Sequence, residues 1–232
     1  MKIFEITSNL PNTNSNGKPI ANDQTHLQNF WNWFNGSKVI DQHGRPIVVY
    51  HGTGQDISSF KQKDLNIKPS GHFLDIGIHF ATNTALPSDY ATYSRYPEHP
   101  TTKGISSGMQ GGNPTVYPVY LKIKNMIDIS NIPTELKSTI IDIAIQAGVS
   151  ERSKFIKLFD VDPLPLLSII QKKLGRKYLQ HFFISKGYDG IKYEWQGENY
   201  LVFSGSQIIS AIGNTGKFSN NDNIIDEVTS HK

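Results

Sequence analysis

Cysteine is absent from the 232-residue chain, and arginine is scarce, with four residues against 19 lysines. The first absence excludes disulfide scaffolds, thiol nucleophiles, cysteine-ligated zinc and iron–sulfur clusters, although it names no compartment. No stretch of 18 apolar residues occurs, and the opening MKIFEITSNLPNTNSNG lacks the apolar core of a secretory signal. Charge is also modest: the net value is +3 and no block of five or six like charges exists. Such a balance does not by itself point to nucleic acid, whose partners concentrate basic charge on one face or tail. These absences lead us to expect a soluble, cytoplasmic protein with no membrane partner. What is present, 37% hydrophobic and 11% aromatic residues, is enough to bury the core of one large or two small domains.

Residues 1–27 read as a flexible arm, because Leu10 to Thr25 are crowded with Asn, Ser, Pro and Gly. Phe30, Trp31 and Phe34 then form the apolar face of a short helix beginning near Gln28 and stopping at Asn35-Gly36. A turn at 41–44 leads into a β-branched strand from Pro46 to Tyr50, giving an expected hairpin, and His51-Gly52-Thr53-Gly54 follows as a glycine-bracketed turn. Gly77 to Ala81 reads as a strand, with a helix toward Tyr96 and a long mobile loop over 97–114. Val116 to Ile129 alternates as a strand pair, or one strand broken at Lys124-Asn125. The period then becomes helical over about 134–186, for three or four helices. Strands over Ile191 to Trp195 and Tyr200 to Phe203 flank a turn at 196–198, Gln207 to Ile212 is a last strand, and 219–232 is a polar tail.

Three segments carry candidate chemistry: Tyr50-His51-Gly52-Thr53; Gly77-Ile78-His79-Phe80-Ala81 with Tyr90 eleven residues after His79; and Glu198-Asn199-Tyr200-Leu201-Val202-Phe203. Their order and spacing resemble the nicotinamide-binding core of the ADP-ribosyltransferase superfamily, in its diphtheria-toxin and poly(ADP-ribose) polymerase branch. With FWNWFNGSKVIDQHGRPIVVYHGT, YPVYLKIKNMIDI, GYDGI and YLVFSGSQIISAIGNTGKF, the chain is similar to transferase domains of phage and mobile-element polyvalent proteins and of bacterial polymorphic toxins. The resemblance covers about residues 28–218. It implies an α+β fold, a split antiparallel sheet with flanking helices and a helical insert.

It also implies NAD⁺ as substrate, no metal, and a set of roles. His51 would bond a ribose hydroxyl, Gly52 would offer backbone groups to the carboxamide where a Cβ would obstruct, and Thr53 would add a hydroxyl. Tyr90 would stack on nicotinamide, with Tyr93 an alternative, in a contact worth about 0.5–2 kcal/mol. His79 stands beside Phe80 where the polymerase branch has tyrosine, and reads equally as a nicotinamide cover and as a half-buried strand histidine. Asn199 stands where that branch places glutamate, and Glu198 lies one residue earlier. A one-residue slip reverses a strand side chain. Either a bulge brings Glu198 inward, or Asn199 faces the ribose and Glu198 the acceptor. Glu194 is a weaker substitute, Gln207 reads as structural, and Lys192 to Gly197 occupies the place of an acceptor-recognition loop.

The resulting expectation is mono-ADP-ribosylation of a host macromolecule, protein slightly ahead of RNA or DNA, in phage infection or microbial conflict, with a cognate immunity protein as a possible partner. Three alternatives stand beside it. A non-catalytic NAD⁺ or ADP-ribose binding module is suggested by Asn199. An RNA 2′-phosphotransferase is suggested by His79 but handicapped by the few arginines. NAD⁺ hydrolysis would use the same site without an acceptor.

Overall fold

A computed structural model describes residues 10–54, 57, 59–60, 74–93, 115–148, 157, 159 and 162–212, with the backbone alone at 92 and 93. The expected loop over 97–114, the tail over 219–232 and the Tyr93 side chain lie outside the described residues.

Seven strands form one mixed sheet: β1 (Val49–Thr53), β2 (Ile78–Ala81), β3 (Thr115–Leu121), β4 (Met126–Asp128), β5 (Gly190–Glu194), β6 (Glu198–Val202) and β7 (Ile208–Ser210). Their spatial order is β4-β5-β6-β2-β1-β3-β7. Every pairing is antiparallel except that of β4 with β5. Among the described residues five α-helices accompany them: α1 (Gln24–Phe34), α2 (Ala85–Tyr93), α3 (Thr134–Gln146), α4 (Leu164–Leu174) and α5 (Arg176–Ser185). The α+β class expected from the sequence is the one observed.

Side-chain alternation along the register assigns the faces. Tyr193 opposes Asn199, Asn199 opposes Ala81, Ala81 opposes Tyr50 and Tyr50 opposes Pro118, so all of these share one face. At one end of that face α3, α4 and α5 bury Leu136, Ile140, Leu166, Ile170, Leu179 and Phe183 against Ile191, Tyr193 and Leu201. At the other end α1 buries Phe30, Trp33 and Phe34 against Tyr120 and Ile209. The opposite face holds Val49, Ile78, Phe80, Val119, Tyr200 and Val202. Tyr50, Gly52, His79, Ala81 and Asn199 line a strip between the two helical blocks.

The insert grips the entry to β2. Arg176 pairs with Asp75 at 2.5 Å, the Gln171 Oε1 accepts from the Asp75 N–H at 2.6 Å, and the Gln180 amide donates to the Ile76 carbonyl at 2.7 Å. Arg176, Gln171 and Gln180 are all buried, so these bonds act where water does not compete.

Several expectations need correction. The part of the expected arm that is described, from residue 10 onward, packs on the domain: Asn14 is buried and donates to the Tyr120 hydroxyl at 2.8 Å, and Ile20 joins the α1 cluster. Helix α1 starts a turn earlier than expected because the Asp23 side chain caps the His26 N–H. The hairpin over 39–50 reduces to one isolated bridge, Ile40 to Pro46, around an Asp41-held turn. The strand instead runs Val49–Thr53, so His51, Gly52 and Thr53 are strand residues paired with β3, not a turn. Of the two readings of Val116 to Ile129, the break at Lys124 and Asn125 is the one observed, their N–H groups accepted by the Asp189 carboxylate, while β4 does not pair with β3 and joins the far edge beside β5.

Candidate active site

The sheet divides where the site is expected. β1 pairs with β3 at five positions and β2 with β6 at four, yet β1 and β2 share one, Tyr50 with Ala81. Past that pair the strands part. His51 bridges the opening, its Nδ1 donating to the His79 carbonyl at 2.8 Å, and its ring contacts Phe80 and Phe60 at 5.4 and 5.3 Å between centroids. A carbonyl partner requires a proton on Nδ1, so Nε2 is the acceptor nitrogen of the neutral ring.

Gly52 is needed for a close approach. A Cβ there would lie 1.7 Å from the carbonyl oxygen of Pro87 in α2, so helix backbone rests directly on strand backbone. Thr53, the next residue, is buried at the end of β1. The same helix brings Tyr90 into the strip, with 40% of its surface exposed. Burial raises the Tyr90 phenol above its ordinary value. His79, half-buried on β2, meets the Tyr193 hydroxyl through Nδ1 at 2.8 Å, ring edge to ring face. The Tyr193 phenol is itself pushed well up, first by burial and then by the nearby Tyr90 phenol. His79 and Tyr193 are therefore hydrogen-bonded partners, with the Tyr90 phenol near enough to act on Tyr193 electrostatically.

The two candidates for the missing carboxylate separate cleanly. β6 keeps unbroken register with β5 from Glu198 to Val202, so no bulge turns Glu198 inward. Asn199 shares the face of His79 and Tyr193. It is 2% exposed and donates to the carbonyls of Trp195 and Gly197 at 2.7 and 2.6 Å. Asn83, which also accepts from the Ala85 N–H at the start of α2, donates to the Gln196 carbonyl at 3.1 Å. Two side-chain amides thus hold three consecutive carbonyls of the hairpin loop, in which Gln196 and Gly197 both have positive φ, 52° and 110°. Only a donor serves at position 199; a carboxylate there would face two carbonyl oxygens.

Glu198 lies on the opposite face, half-buried, accepting from the Tyr200 hydroxyl and paired with Lys192 at 2.5 Å. The hydrogen bond to Glu198 raises the Lys192 ammonium above its ordinary value, and burial, then Glu198, pushes the Tyr200 phenol far up. The structure therefore brings Gly52, His79, Tyr90 and Asn199 to one face of the parted strands, and sets His51, its ring against Phe80, with Glu198 on the other face. Tyr193 and Asn83 belong to the site's framework and were not singled out for those roles by the sequence. Their signal is the register that pairs Tyr193 with Asn199, which sequence spacing alone does not state. Gln207 is structural as expected, with bonds to Phe203, Ser204, Lys122 and Asp189. Among the described residues, no group of three His, Asp or Glu side chains could hold a metal ion, and no helix is long and apolar enough to cross a membrane.

Comparison with curated proteins finds no match. A solved structure described as that of an anti-CRISPR protein is similar at 12% identity, covering 68% of this chain and 90% of its own, with a TM-score of 0.31. A likeness at that score carries no argument. The family model of the ADP-ribosyltransferase in polyvalent proteins matches residues 41–218, a span that holds the parted strands, α2, the insert and the β5–β6 hairpin. The chain belongs to this family of ADP-ribosyltransferase domains.

Proposed function

We propose that the protein takes NAD⁺ as donor and transfers a single ADP-ribosyl group to a macromolecular acceptor in a host cell's cytoplasm. The observation that carries this reading is the parting of β1 from β2 at His51 and Gly52, within a chain of transferase family. Where a ladder stops, backbone groups become available to a planar carboxamide, and the His51 Nε2 suits a ribose hydroxyl donor. Nicotinamide stacks on Tyr90, with His79 beside it. The C1′–N bond breaks, its electron pair leaves with neutral nicotinamide, and the acceptor nucleophile bonds C1′ and yields its proton to solvent.

Asn199 supports single, slow transfer. A buried amide committed to two carbonyls stabilises a developing oxocarbenium charge less than a carboxylate would. The same observation favours a second reading, a non-catalytic NAD⁺ or ADP-ribose module. Phosphotransfer to RNA finds no support among the described arginines, since Arg45 pairs with Asp41 and Arg176 with Asp75. The near-balanced charge favours a protein acceptor over nucleic acid, and an origin in phage or microbial conflict, with a cognate immunity protein, fits the family.

Incubating the purified chain with labelled NAD⁺ and host lysate tests this. Transfer with nicotinamide release in the wild type, lost in His51→Ala, is the expected result. Saturable NAD⁺ binding with no nicotinamide release would favour the binding module, and release without labelled acceptor would indicate hydrolysis.

A further inference from the structure

Residue 79 is held at both ends. Its carbonyl accepts from the His51 Nδ1 at 2.8 Å, and its imidazole meets the Tyr193 hydroxyl through Nδ1, also at 2.8 Å. The second contact reaches across β6, from β2 to β5, with the two rings 84° apart and their centroids at 5.9 Å. Tyr193 is 5% exposed, and among the described residues its hydroxyl has no hydrogen-bond partner other than His79. A buried phenol that donates to nothing is costly, so its proton goes to the His79 Nδ1. Burial pushes the Tyr193 phenol well above its ordinary value, which keeps that proton in place across the neutral range. A ring that accepts at Nδ1 is neutral and carries its own proton on Nε2. His51 is the reverse, protonated on Nδ1 with its acceptor at Nε2. The two histidines are therefore fixed in opposite tautomers.

We infer that Tyr193 is a positioning residue for the donor site: its hydroxyl sets the orientation of the His79 ring and fixes it as the Nε2–H tautomer, so that His79 offers a hydrogen-bond donor to an oxygen of the bound nucleotide. The inference rests on the transferase reading above. His79 lies on the strip that also carries Gly52 and Asn199. The Asn199 amide already serves the Trp195 and Gly197 carbonyls, so it is not the donor for a ligand there. NAD⁺ brings acceptor oxygens on its carboxamide, riboses and phosphates, and the Nε2–H form suits them where an acceptor nitrogen would not. A ring preset in tautomer and orientation spares the nucleotide the cost of selecting both.

The test reads the imidazole nitrogens by NMR and NAD⁺ binding by calorimetry, on the same full-length chain with nitrogen-15 histidine. Without nucleotide, the wild type is expected to show a pyridine-type Nδ1 and a pyrrole-type Nε2 at His79, signals identified by their loss in His79→Gln. Tyr193→Phe, which keeps the buried ring and removes the hydroxyl, is expected to move both toward the averaged shifts of exchanging tautomers. Its NAD⁺ affinity should fall by about fivefold or more, since the donor tautomer and the ring orientation are then each only partly populated. His79→Gln, whose amide nitrogen takes the place of Nε2, should bind NAD⁺ more tightly than His79→Asn, whose amide nitrogen takes the place of Nδ1. A pyrrole-type Nδ1 in the wild type, or an unchanged NAD⁺ affinity in folded Tyr193→Phe, overturns the inference. The NMR reading needs no nucleotide and so keeps the two ideas apart: a wild type with the expected shifts that binds no NAD⁺ contradicts the donor site and leaves the hold of Tyr193 on His79 supported.

Discussion

The amide nitrogen of Asn199 lies 2.6 Å from the carbonyl of Gly197, and that bond, with its companion to Trp195, dictates an amide at the position where a carboxylate was expected. Asn199→Asp turns two satisfied carbonyls toward a negative charge in a buried site. Stability should fall by about 2 kcal/mol or more, as leaving buried polar groups unsatisfied does. Urea unfolding measures it, and an unchanged midpoint would show that the hairpin does not need the amide.

Gly52→Ala tests the contact between β1 and α2. Its Cβ would fall 1.7 Å from the Pro87 oxygen, so helix or strand must shift. The expected cost is about 3 kcal/mol, as for overpacking in a tight site. Because α2 carries Tyr90, NAD⁺ affinity should drop as well. A fully stable Ala variant would contradict the packing described.

The order of motifs, the helical period of 134–186 and the structural role of Gln207 were legible in the sequence, since each depends on local pattern. Other features depend on residues far apart in the chain. Asn14 belongs to a segment whose composition reads as an arm, yet its partner Tyr120 is 106 residues away. The strand end at Thr53 is set by pairing with β3, which no turn signal after Tyr50 announces. The opposite faces of Glu198 and Asn199 followed from alternation, but the choice between a bulge and continuous pairing needed β5 in place.

Alkaline pH should destabilise the fold through Tyr193, Tyr200 and Lys192, all of whose values are raised in the native state. A raised native value means that the folded chain holds more protons, so the stabilisation is complete below the unfolded value and is lost as pH rises through the native one. With unfolded values of about 10 for tyrosine and 10.4 for lysine, the loss begins near pH 10. Thermal unfolding between pH 8 and 11.5 checks it. Tyr193→Phe, which has no phenol to ionise, should show a shallower decline, and an identical slope would remove Tyr193 from the account.

Arg176→Ala should cost about 3 kcal/mol by leaving the Asp75 carboxylate without its buried partner. Since Asp75 leads into β2, the loss should also loosen the segment carrying His79. Hydrogen exchange at residues 76–80 reports it: faster exchange is expected, and unchanged protection would show that the insert does not secure the strand.

The donor site is tested most directly by the NAD⁺ dissociation constant of the wild type and of His51→Ala, measured calorimetrically on folded protein. The account predicts saturable binding by the wild type and at least tenfold weaker binding by the variant, about 1.4 kcal/mol. Equal affinity for NAD⁺ in the two proteins would place the nucleotide somewhere other than the parting of β1 and β2.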